Sequence, residues 1–514
     1  MSRKLILALT LISFAFCGAS FAAVENIKVS GDITVTGVLR DLTLGTHSYF
    51  DLGIPPAGGY IGATAGEQDS FFLSQVRVRF DADLTENVSA VVRLLNERIW
   101  GQEITEDTDV VIDLAYIELR EFLYQPLTLV VGRQNLRYGN GMIIGDPDTN
   151  MMSSGTNAML GPLSRDLYGD LSMRKSFDAI KGIIDFSPYT IDLFYAKISE
   201  GWLNENSADN SDDIDLYGVN VAYDWSSYNG VTEAYFIYNT NSRNAFGVLE
   251  PFEIANNQSK TFVAGGRFQF DPSDNLTLGL EGAYQFGDIP LYEAAAAIMF
   301  PGFPTAYEHL SAFAAQLIGE YRFLNDYNAK LGANFSYFSG ADDWTNGNPF
   351  GGSLNNTYNG WNPMFEDQTG AEIMNILFPQ TNIMFASISG SMMPREDITV
   401  GMTYAWAKLA QNVDSQLVIN PATGTPGWYT VPYYGAPFIP AYGMLGMGPA
   451  EVFGYRVNRD ETFLGQEIDA YVLYDYTEDV QIKLTTACFL PGKFFHDEND
   501  EPAYSFKGSM AVNF

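Results

Sequence analysis

Hydrophobic and polar residues alternate along most of the chain with a period of two. In residues 276–286, leucine, glycine and aromatic residues on one face alternate with Thr277, Glu281 and Gln285 on the other. Residues 75–84 alternate in the same way. A period of two is that of a β-strand whose two faces meet different surroundings. The pattern therefore predicts strands with one apolar and one polar face.

The alternating segments and their connections indicate a membrane barrel. The segments have about 10–14 residues, whereas soluble strands average about 5–6 and tilted membrane strands need about 9–11. Tight turns, as at 85–87 and 477–479, alternate with long loops rich in Gly, Pro and Asn, as at 139–173 and 410–461. The sequence thus predicts an all-β, transmembrane antiparallel β-barrel of about 18 strands with short periplasmic turns and long extracellular loops. The strands are predicted near 27–40, 70–84, 88–100, 110–122, 127–138, 174–186, 189–198, 213–224, 231–240, 260–270, 275–287, 310–323, 328–339, 379–393, 397–409, 462–476, 480–490 and 504–514.

The first 22 residues have the pattern of a secretory signal peptide. Arg3 and Lys4 precede the apolar residues 5–16, and Ser20 and Ala22 are small residues at a cleavage position. We expect residues 23–514 to form one outer-membrane barrel domain without a plug. Cys17 lies in the leader, so Cys488 is expected to be the single cysteine of the mature chain, which leaves no intramolecular disulfide.

The last predicted strand ends in an aromatic residue. Its even-numbered positions from Tyr504 to Phe514 share one face, which is mostly aromatic and apolar. This ending resembles the signal that the outer-membrane assembly machinery recognises in bacterial barrels. We therefore expect localisation in the bacterial outer membrane, with that machinery, membrane lipids and lipopolysaccharide as partners.

Composition excludes two broad classes of protein. The chain has 28 Lys and Arg against 62 Asp and Glu, a formal net charge of −34, which disfavours nucleic acid as a partner. It also has 36 Phe, 30 Tyr and 7 Trp, too many aromatic residues for a disordered chain.

Charged residues within the strands are the candidate pore lining, because an arginine facing lipid at mid-bilayer costs about 2–4 kcal/mol. With a turn at 85–87, Arg79 and Arg93 pair directly across two strands. Either an anion visits this pair of like charges or neighbouring acids compensate them, and the sequence leaves both open. The candidates are Arg77, Arg79, Arg93, Arg133, Arg137, Arg174, Arg267, Arg322, Asp81, Asp178 and Glu281.

The sequence offers no pattern for catalysis. Its three histidines, His47, His309 and His496, lie in or beside loops, and no nucleotide or zinc motif is present. We expect no enzyme and no cofactor. Acidic loop residues could hold divalent cations, although such runs are more often a solvated outer surface. They are Glu103, Glu106, Asp107, Asp109, Asp209, Asp212 and Asp213.

Several short motifs resemble the alginate export family of outer-membrane porins. Residues 129–139, LVVGRQNLRYG, are similar to its "GRQ" strand and following loop, and FDA at 177–179 to the next strand. Further matches are EGAYQFGD at 281–288, SGADD at 339–343, LGQEID at 464–469 and FLPG at 489–492. The resemblance implies an 18-stranded barrel whose basic lumen, in the alginate secretion member, draws an anionic uronate polymer outward. It singles out Arg133, Arg137 and Arg174.

One departure favours a more general channel. The alginate secretion member has a long periplasmic loop where this chain has only residues 477–479. We therefore expect a porin for passive passage of hydrophilic, anionic solutes such as sugar acids or polyuronates, with 139–173 or 410–461 as the loops that narrow it. The alternatives are a general non-specific porin and an occluded structural or adhesin barrel, with a barrel hydrolase the least favoured. The sequence carries no signal for the oligomeric state.

Overall fold

A computed structural model describes most of the strands and part of the loops. The residues described are 26–42, 68–101, 110–147, 169–199, 213–225, 227–241, 259–290, 307–340, 357–367, 370–378, 380–411, 415–419, 426–430, 461–495, 497 and 500–514. The predicted leader, His47, His496 and all of the acidic loop residues except Asp213 lie outside them. Among these residues, no helix is long and apolar enough to cross a membrane.

Eighteen antiparallel strands in the described residues form one closed barrel, which confirms the predicted fold. Each strand pairs with its neighbours in sequence, and β18 returns to pair with β1. The strands are β1 Asn26–Asp41, β2 Gln68–Thr85, β3 Val88–Ile99, β4 Val111–Leu119, β5 Leu127–Gln134, β6 Phe177–Phe186, β7 Tyr189–Ser199, β8 Ile214–Trp225, β9 Gly230–Asn241, β10 Ser259–Ser273, β11 Leu276–Pro290, β12 Tyr307–Arg322, β13 Lys330–Phe338, β14 Ile383–Arg395, β15 Ile398–Leu409, β16 Phe463–Asp475, β17 Val480–Pro491 and β18 Ala503–Asn513.

Short elements lie in the connections. Thr357–Tyr358 runs parallel to β12, and a hairpin of Ser415–Ile419 with Pro426–Thr430 follows β15. Gly169–Leu171 is a single 3₁₀ turn, and helix α1 is Met374–Leu377. None of these elements belongs to the barrel wall of 18 strands.

The seam between β1 and β18 closes the sheet. Asp32 pairs with Asn513, and the pairing continues to Asp41 opposite Tyr504. Gly31 and Phe514 exchange two backbone hydrogen bonds of 2.8 and 2.9 Å. Closure in this way leaves no unpaired edge among the 18 described strands of the wall.

The two faces of the wall separate as the alternation predicts. On β11 and β12, Leu280, Phe313 and Leu317 are about half exposed and face outward. The alternate residues Glu281 and Gln285 face the lumen, yet both are completely buried. Something inside the barrel must therefore cover them.

Two connections fold into the lumen and cover this wall. Inner loop A is residues 135–147, between β5 and β6, and inner loop B comprises residues 357–367 and 370–378, between β13 and β14. Their buried side chains join one apolar cluster with lumen-facing wall residues. Many of these wall residues are alanines, which leave room for the loops: Ala179, Ala196, Ala283, Ala312, Ala314, Ala405, Ala407, Ala487 and Ala503.

Candidate pore and its lining

The lumen-facing arginines of β2 and β3 form the basic part of the wall. Arg79 pairs directly with Arg93, as the sequence predicts. Arg79 donates to Asp81 at 2.7 and 2.9 Å, and Arg93 forms an ion pair with the fully buried Asp113 of β4. Neighbouring acids thus compensate these like charges, which is one of the two interpretations that the sequence leaves open.

The chain before β6 crosses to this wall. We call residues 169–176 the crossing segment. Arg40 of β1 contacts its Asp170 at 3.1 Å, and Glu97 of β3 accepts hydrogen bonds of 2.8 Å from Met173 N and Ser172 Oγ. The crossing segment is therefore held against β1–β3 by both signs of charge.

On the opposite wall, two carboxylates hold the tip of inner loop A. Glu281 accepts from Asn140 N at 2.7 Å and from the Tyr235 hydroxyl at 2.8 Å. Glu233 accepts from Gly139 N at 3.0 Å and from Arg267 at 2.7 Å. These carboxylates are bound by backbone amides of the loop, which leaves them little contact with solvent.

The tip requires a glycine where it meets Glu281. Gly139 has a φ of 59°, and a Cβ there would lie 2.2 Å from Glu281 Oε1. Next to it, Tyr138 stacks on Phe194 with ring centroids 4.9 Å apart and donates to Asp192 at 3.2 Å. Burial raises the pKa of Tyr138, so it remains a neutral donor.

Inner loop B is anchored by the same chemistry. The fully buried Glu467 of β16 accepts from the amides of Ile373 and Met374, at 2.6 and 2.7 Å, where helix α1 begins. Lys507 of β18 forms an ion pair with Glu372 beside it. A wall carboxylate that binds backbone amides is thus common to both inner loops.

The two inner loops are also joined to each other. Phe365 accepts from Gly145 N at 2.7 Å and donates to Ile143 O at 3.0 Å, and Asp367 N donates to Gly141 O at 2.8 Å. The Asp367 carboxylate contacts both Arg137 and Lys175. Loop A, loop B and the crossing segment therefore form one braced constriction.

A cavity of about 340 Å³ lies between the constriction and β12–β14. Arg137, Gln316, Asn334, Ser336 and Asp367 are among its lining residues. On one side it has the Arg137–Asp367 pair, and on the other it has neutral hydrogen-bonding groups. Phe338, Met374, Phe378, Ile383 and Phe385 also line this cavity, so it combines polar groups with a large apolar surface.

The remaining predicted residues fall into two groups. Arg267 and Arg322 face the lumen, Arg322 with Glu320 at 3.1 Å, and Arg137 and Arg174 lie in loop segments rather than on strands. Arg133 and Asp178 pair with each other at 2.9 Å on the outer face, where Asp178 alternates with the buried Phe177 and Ala179. This placement contradicts our expectation that Arg133 and Asp178 line the pore.

The end of β5 explains that difference. Gln134 is buried and donates to the carbonyls of Val130, Gly132 and Ala179, after which the chain turns inward. Gly132 has a φ of 123° and fits closely against Ala115 O. Residues of the "GRQ" motif thus end the strand and start inner loop A, which shortens the strand predicted at 127–138.

Sequence reasoning missed Glu233 and Asp367, which hold the constriction, and it placed Glu467 on a strand without showing that this residue binds inner loop B. The alternation already puts Glu233 on one face with Tyr235, and the alternate alanines at 312 and 314 leave lumen space for a filling segment. Both signals are in the sequence. Neither identifies which loop provides the contact.

The described residues show no arrangement for metal binding. They contain no group of three or more His, Cys, Asp or Glu side chains that could hold an ion. Of the acidic loop residues named above, Asp213 is described, and it pairs with Lys197. The divalent-cation expectation for the other acidic residues lies outside the described residues.

The chain is similar to several solved structures. Pseudomonas aeruginosa OccK2 in complex with glucuronate matches with a TM-score of 0.49 and 9% identity over 96% of this chain and 99% of that one. Pseudomonas aeruginosa OccK3 matches with a TM-score of 0.47 and 9% identity over 96% of this chain and 97% of that one. Acinetobacter baumannii OccAB4 matches with a TM-score of 0.46 and 8% identity over 96% of this chain and 99% of that one. No curated protein matches the chain.

A family model gives the decisive comparison. The model described as Alginate export matches residues 59–506, which is most of the chain. Its match agrees with the closed 18-stranded barrel and locates the protein in the bacterial outer membrane, among lipids and lipopolysaccharide. The chain belongs to the alginate export family of outer-membrane porins.

Proposed function

We propose that this outer-membrane channel passes hydrophilic solutes passively and prefers anions, sugar acids and polyuronates included. The mechanism is diffusion through a water-filled lumen in which charged side chains set the preference. The family and the barrel support a non-enzymatic channel. The choice of anions is the finer part of the proposal.

The observation that carries it is the unequal exposure of lumen acids and bases. Glu281 and Glu467 are completely buried under the inner loops. Arg77 and Arg79 keep 26% and 35% of their side chains exposed, although each has a carboxylate partner. A passing solute therefore meets these two arginines, with their partners Asp32 and Asp81, on the β1–β2 part of the wall, while Glu281 and Glu467 are covered by the inner loops.

The proposal is tested by ion selectivity in a planar bilayer. Removing one positive charge about 6 Å from a permeating ion in water changes the energy of that ion by about 0.7 kcal/mol, and by roughly half of this once salt screens the charge. The change has opposite signs for an anion and a cation, so the ratio of their permeabilities should change by a factor of about three. We expect Arg79→Gln to lower the anion-to-cation permeability ratio about threefold, read from the reversal potential across a salt gradient. Competition by glucuronate and short polyuronates then tests the solute class.

Arg133→Gln is the matched control, because the same substitution there lies on the outer face of the wall. It should leave the reversal potential unchanged. Cation selectivity in the unmodified channel, or equal effects of the two substitutions, would contradict anion preference. A complete absence of conductance at both polarities would favour the occluded structural barrel instead.

Recognition by the assembly machinery remains a second part of the proposal. β18 presents Tyr504, Phe506, Met510 and Phe514 outward, each 46–61% exposed. We expect Phe514→Ala to reduce the amount of folded barrel in the outer membrane more than Met510→Ala does. Heat-modifiable mobility in a cell-envelope fraction measures that amount.

A further inference from the structure

The cavity beside β12–β14 lies where the barrel wall meets both inner loops. Inner loop A contributes Arg137 and Asn140 to its lining, and helix α1 of inner loop B contributes Met374 and Asn375. Its volume of about 340 Å³ is at the small end of the range for ligand pockets, about 300–1,000 Å³. The cavity therefore has room for one small molecule rather than for a polymer.

Part of the lining is a row of hydrogen-bonding side chains. Asn140 Nδ2 donates to Gln316 Oε1 at 3.0 Å, and Gln316 Nε2 donates to Ser336 Oγ at 3.2 Å. Ser336 continues the row to Asn334 Oδ1 at 3.5 Å. Gln316 and Ser336 are only 4% and 2% exposed, so these hydrogen bonds fix the orientation of the row.

Two amide side chains of the lining keep the capacity to bind a solute. Asn334 belongs to β13 and Asn375 to helix α1, and both are partly buried. Within the described part of the chain, neither the Asn375 side chain nor Asn334 Nδ2 has a hydrogen-bond partner. An amide nitrogen of this kind has two N–H donors. A molecule in the cavity can therefore bond to the wall and to inner loop B at the same time.

A second part of the lining is aromatic. Phe385 of β14 pairs directly with Ser336, which puts its ring beside the polar row, and Phe338 lies two residues beyond Ser336 on the same face of β13. Phe378, which follows helix α1, adds a third ring. Phe338 and Phe385 are buried, so packing holds their rings in place. Rings next to a row of amides suit a solute that has both an apolar face and a polar edge.

The guanidinium of Arg137 supplies a positive group to the same cavity. It forms an ion pair with Asp367 and donates to Asn140 O at 2.9 Å. Gly141 allows this position, because a Cβ there would lie 3.0–3.1 Å from three guanidinium atoms. Arg137 is still 49% exposed, and Asp367 is shared with Lys175. The guanidinium is thus held in place but only partly neutralised, so it can bind a carboxylate.

The cavity lies on the periplasmic side of the tip of inner loop A. Asn334 is four residues from Lys330, where β13 begins, and Ile318 is four residues from Arg322, where β12 ends. At about 3.3 Å per residue and a tilt of about 40°, both lie about 10 Å from the periplasmic turns. Gln316, which binds the tip of inner loop A, is two residues further from those turns. A solute coming from the periplasm therefore meets the cavity before it meets the tip.

We propose that this cavity binds one sugar ring and that Arg137 binds the carboxylate of a sugar acid there. A sugar ring has hydroxyl groups around its edge and C–H groups on its faces. The hydroxyls bond to Asn334 and Asn375, and a C–H face packs on the phenylalanine rings. This inference rests on the proposed function and deepens it, because it names the solute class and the place where that solute binds.

Two other classes of solute would use only part of this lining. An inorganic anion needs the guanidinium but neither the amides nor the rings. An aromatic carboxylic acid fits Arg137 and the rings, but it has no hydroxyls for Asn334 and Asn375 and so leaves two partly buried amides without partners. The complete lining therefore favours a sugar acid over both.

Block of the ion current through the full channel in a planar bilayer tests the proposal. Glucuronate, glucose and benzoate are titrated at constant ionic strength, and the concentration that gives half-maximal block is measured for each. We expect saturable block by glucuronate at the lowest concentration and by glucose at a higher one. We expect no saturable block by benzoate, which has a carboxylate and an apolar ring but no hydroxyls.

Two substitutions separate the contacts, and heat-modifiable mobility shows that each variant is folded. Asn334→Leu keeps the size of the side chain but removes its amide, so the half-block concentrations of both sugars should rise about three- to tenfold. Arg137→Gln should raise that of glucuronate about tenfold or more and leave that of glucose within about twofold. Gln481→Leu is the matched control and should change neither, because Gln481 is a lumen-facing amide on β17 outside the cavity.

Three results would overturn the sugar site: no saturable block by either sugar, equal effects of Asn334→Leu and Gln481→Leu, or block by benzoate as strong as by glucuronate. The reversal potential in salt alone tests the proposed function separately. Anion selectivity without saturable sugar block would overturn the sugar site alone. Cation selectivity, together with glucose block that Asn334→Leu weakens, would support the sugar site and overturn anion preference.

Discussion

The β2–β3 wall and the β9–β11 wall both present lumen-facing charges, yet they use them differently. On β2–β3, Arg77 and Arg79 pair with carboxylate side chains of the wall and remain partly exposed. On β9 and β11, Glu233 and Glu281 bind backbone amides of inner loop A and are mostly or fully covered. The partner of a charge, rather than its sign or its strand, decides whether it lines the passage or holds a loop.

The two walls differ in energy because the charges of the β2–β3 wall remain in contact with water, whereas those of the β9–β11 wall are removed from it. An exposed ion pair contributes about 0–1 kcal/mol, because water competes for both partners. A buried donor that loses its acceptor costs about 1–3 kcal/mol. We therefore expect substitutions on the β9–β11 wall to change the architecture of the lumen, and those on the β2–β3 wall to change its selectivity.

The largest effect is expected from Glu281→Ala. The substitution leaves Asn140 N and the Tyr235 hydroxyl without their acceptor, at about 1–3 kcal/mol each, so the tip of inner loop A should detach. Single-channel conductance should rise, with larger fluctuations. Glu320→Ala is the control, because Glu320 also faces the lumen but is 41% exposed. Equal conductance in the two variants would contradict the conclusion that buried lumen acids hold an inner loop and exposed ones do not.

A smaller effect is expected from Asp367→Asn. Arg137 and Lys175 lose a carboxylate partner, but the backbone hydrogen bonds between inner loops A and B remain. Open-channel noise should increase while the mean conductance stays near that of the unmodified channel. Asp83→Asn, at an exposed position near the turn after β2, should change neither. A conductance rise as large as that of Glu281→Ala would show that the ion pairs, not the backbone, brace the loops.

The smallest effect on stability is expected from Asp397→Asn, in the periplasmic turn between β14 and β15. Arg395 donates to Asp397 at 2.8 Å and lowers the pKa of that carboxyl. A lowered pKa adds stability above the ordinary value of about 3.9, and this is lost as the pH falls through the lowered pKa. Since Arg395 is 66% and Asp397 32% exposed, water competes for both groups, and Asp397→Asn should leave the urea unfolding midpoint at pH 7 within experimental error. If Asp397→Asn lowers the urea unfolding midpoint as much as Glu281→Ala does in the same assay, the contrast between exposed and buried charges is wrong.

The strands could be predicted from the sequence because each strand carries its own evidence. The alternation of Leu278 and Leu280 with Glu281 fixes which face is apolar whatever lies elsewhere in the chain. Tight turns then order the strands, since antiparallel neighbours in sequence pair in space. The direct pairing of Arg79 with Arg93 follows from the position of the tight turn at 85–87, which sets the register of β2 and β3.

The constriction could not be predicted in the same way, because it depends on contacts between distant segments. Nothing in β11 shows that Asn140 will lie on Glu281, 141 positions away. The outward position of Arg133 was missed because Val130 and Val131 are both apolar, so the alternation on β5 does not fix its faces. Local patterns identify a wall, and they do not identify what the loops place against it.

The seam between the first and last strands has a consequence for assembly. Asp32 and Asn513 are 481 positions apart, so the length-dependent entropy of closing this loop is about 5 kcal/mol, against about 1 kcal/mol for a four-residue turn. The hairpins can form early and locally, whereas the seam is the most expensive pairing and can form only after both end strands are present. Until then β1 and β18 are open edges, ready to pair with any other strand. Assembly of this barrel therefore needs those two edges to be shielded from other chains until they meet.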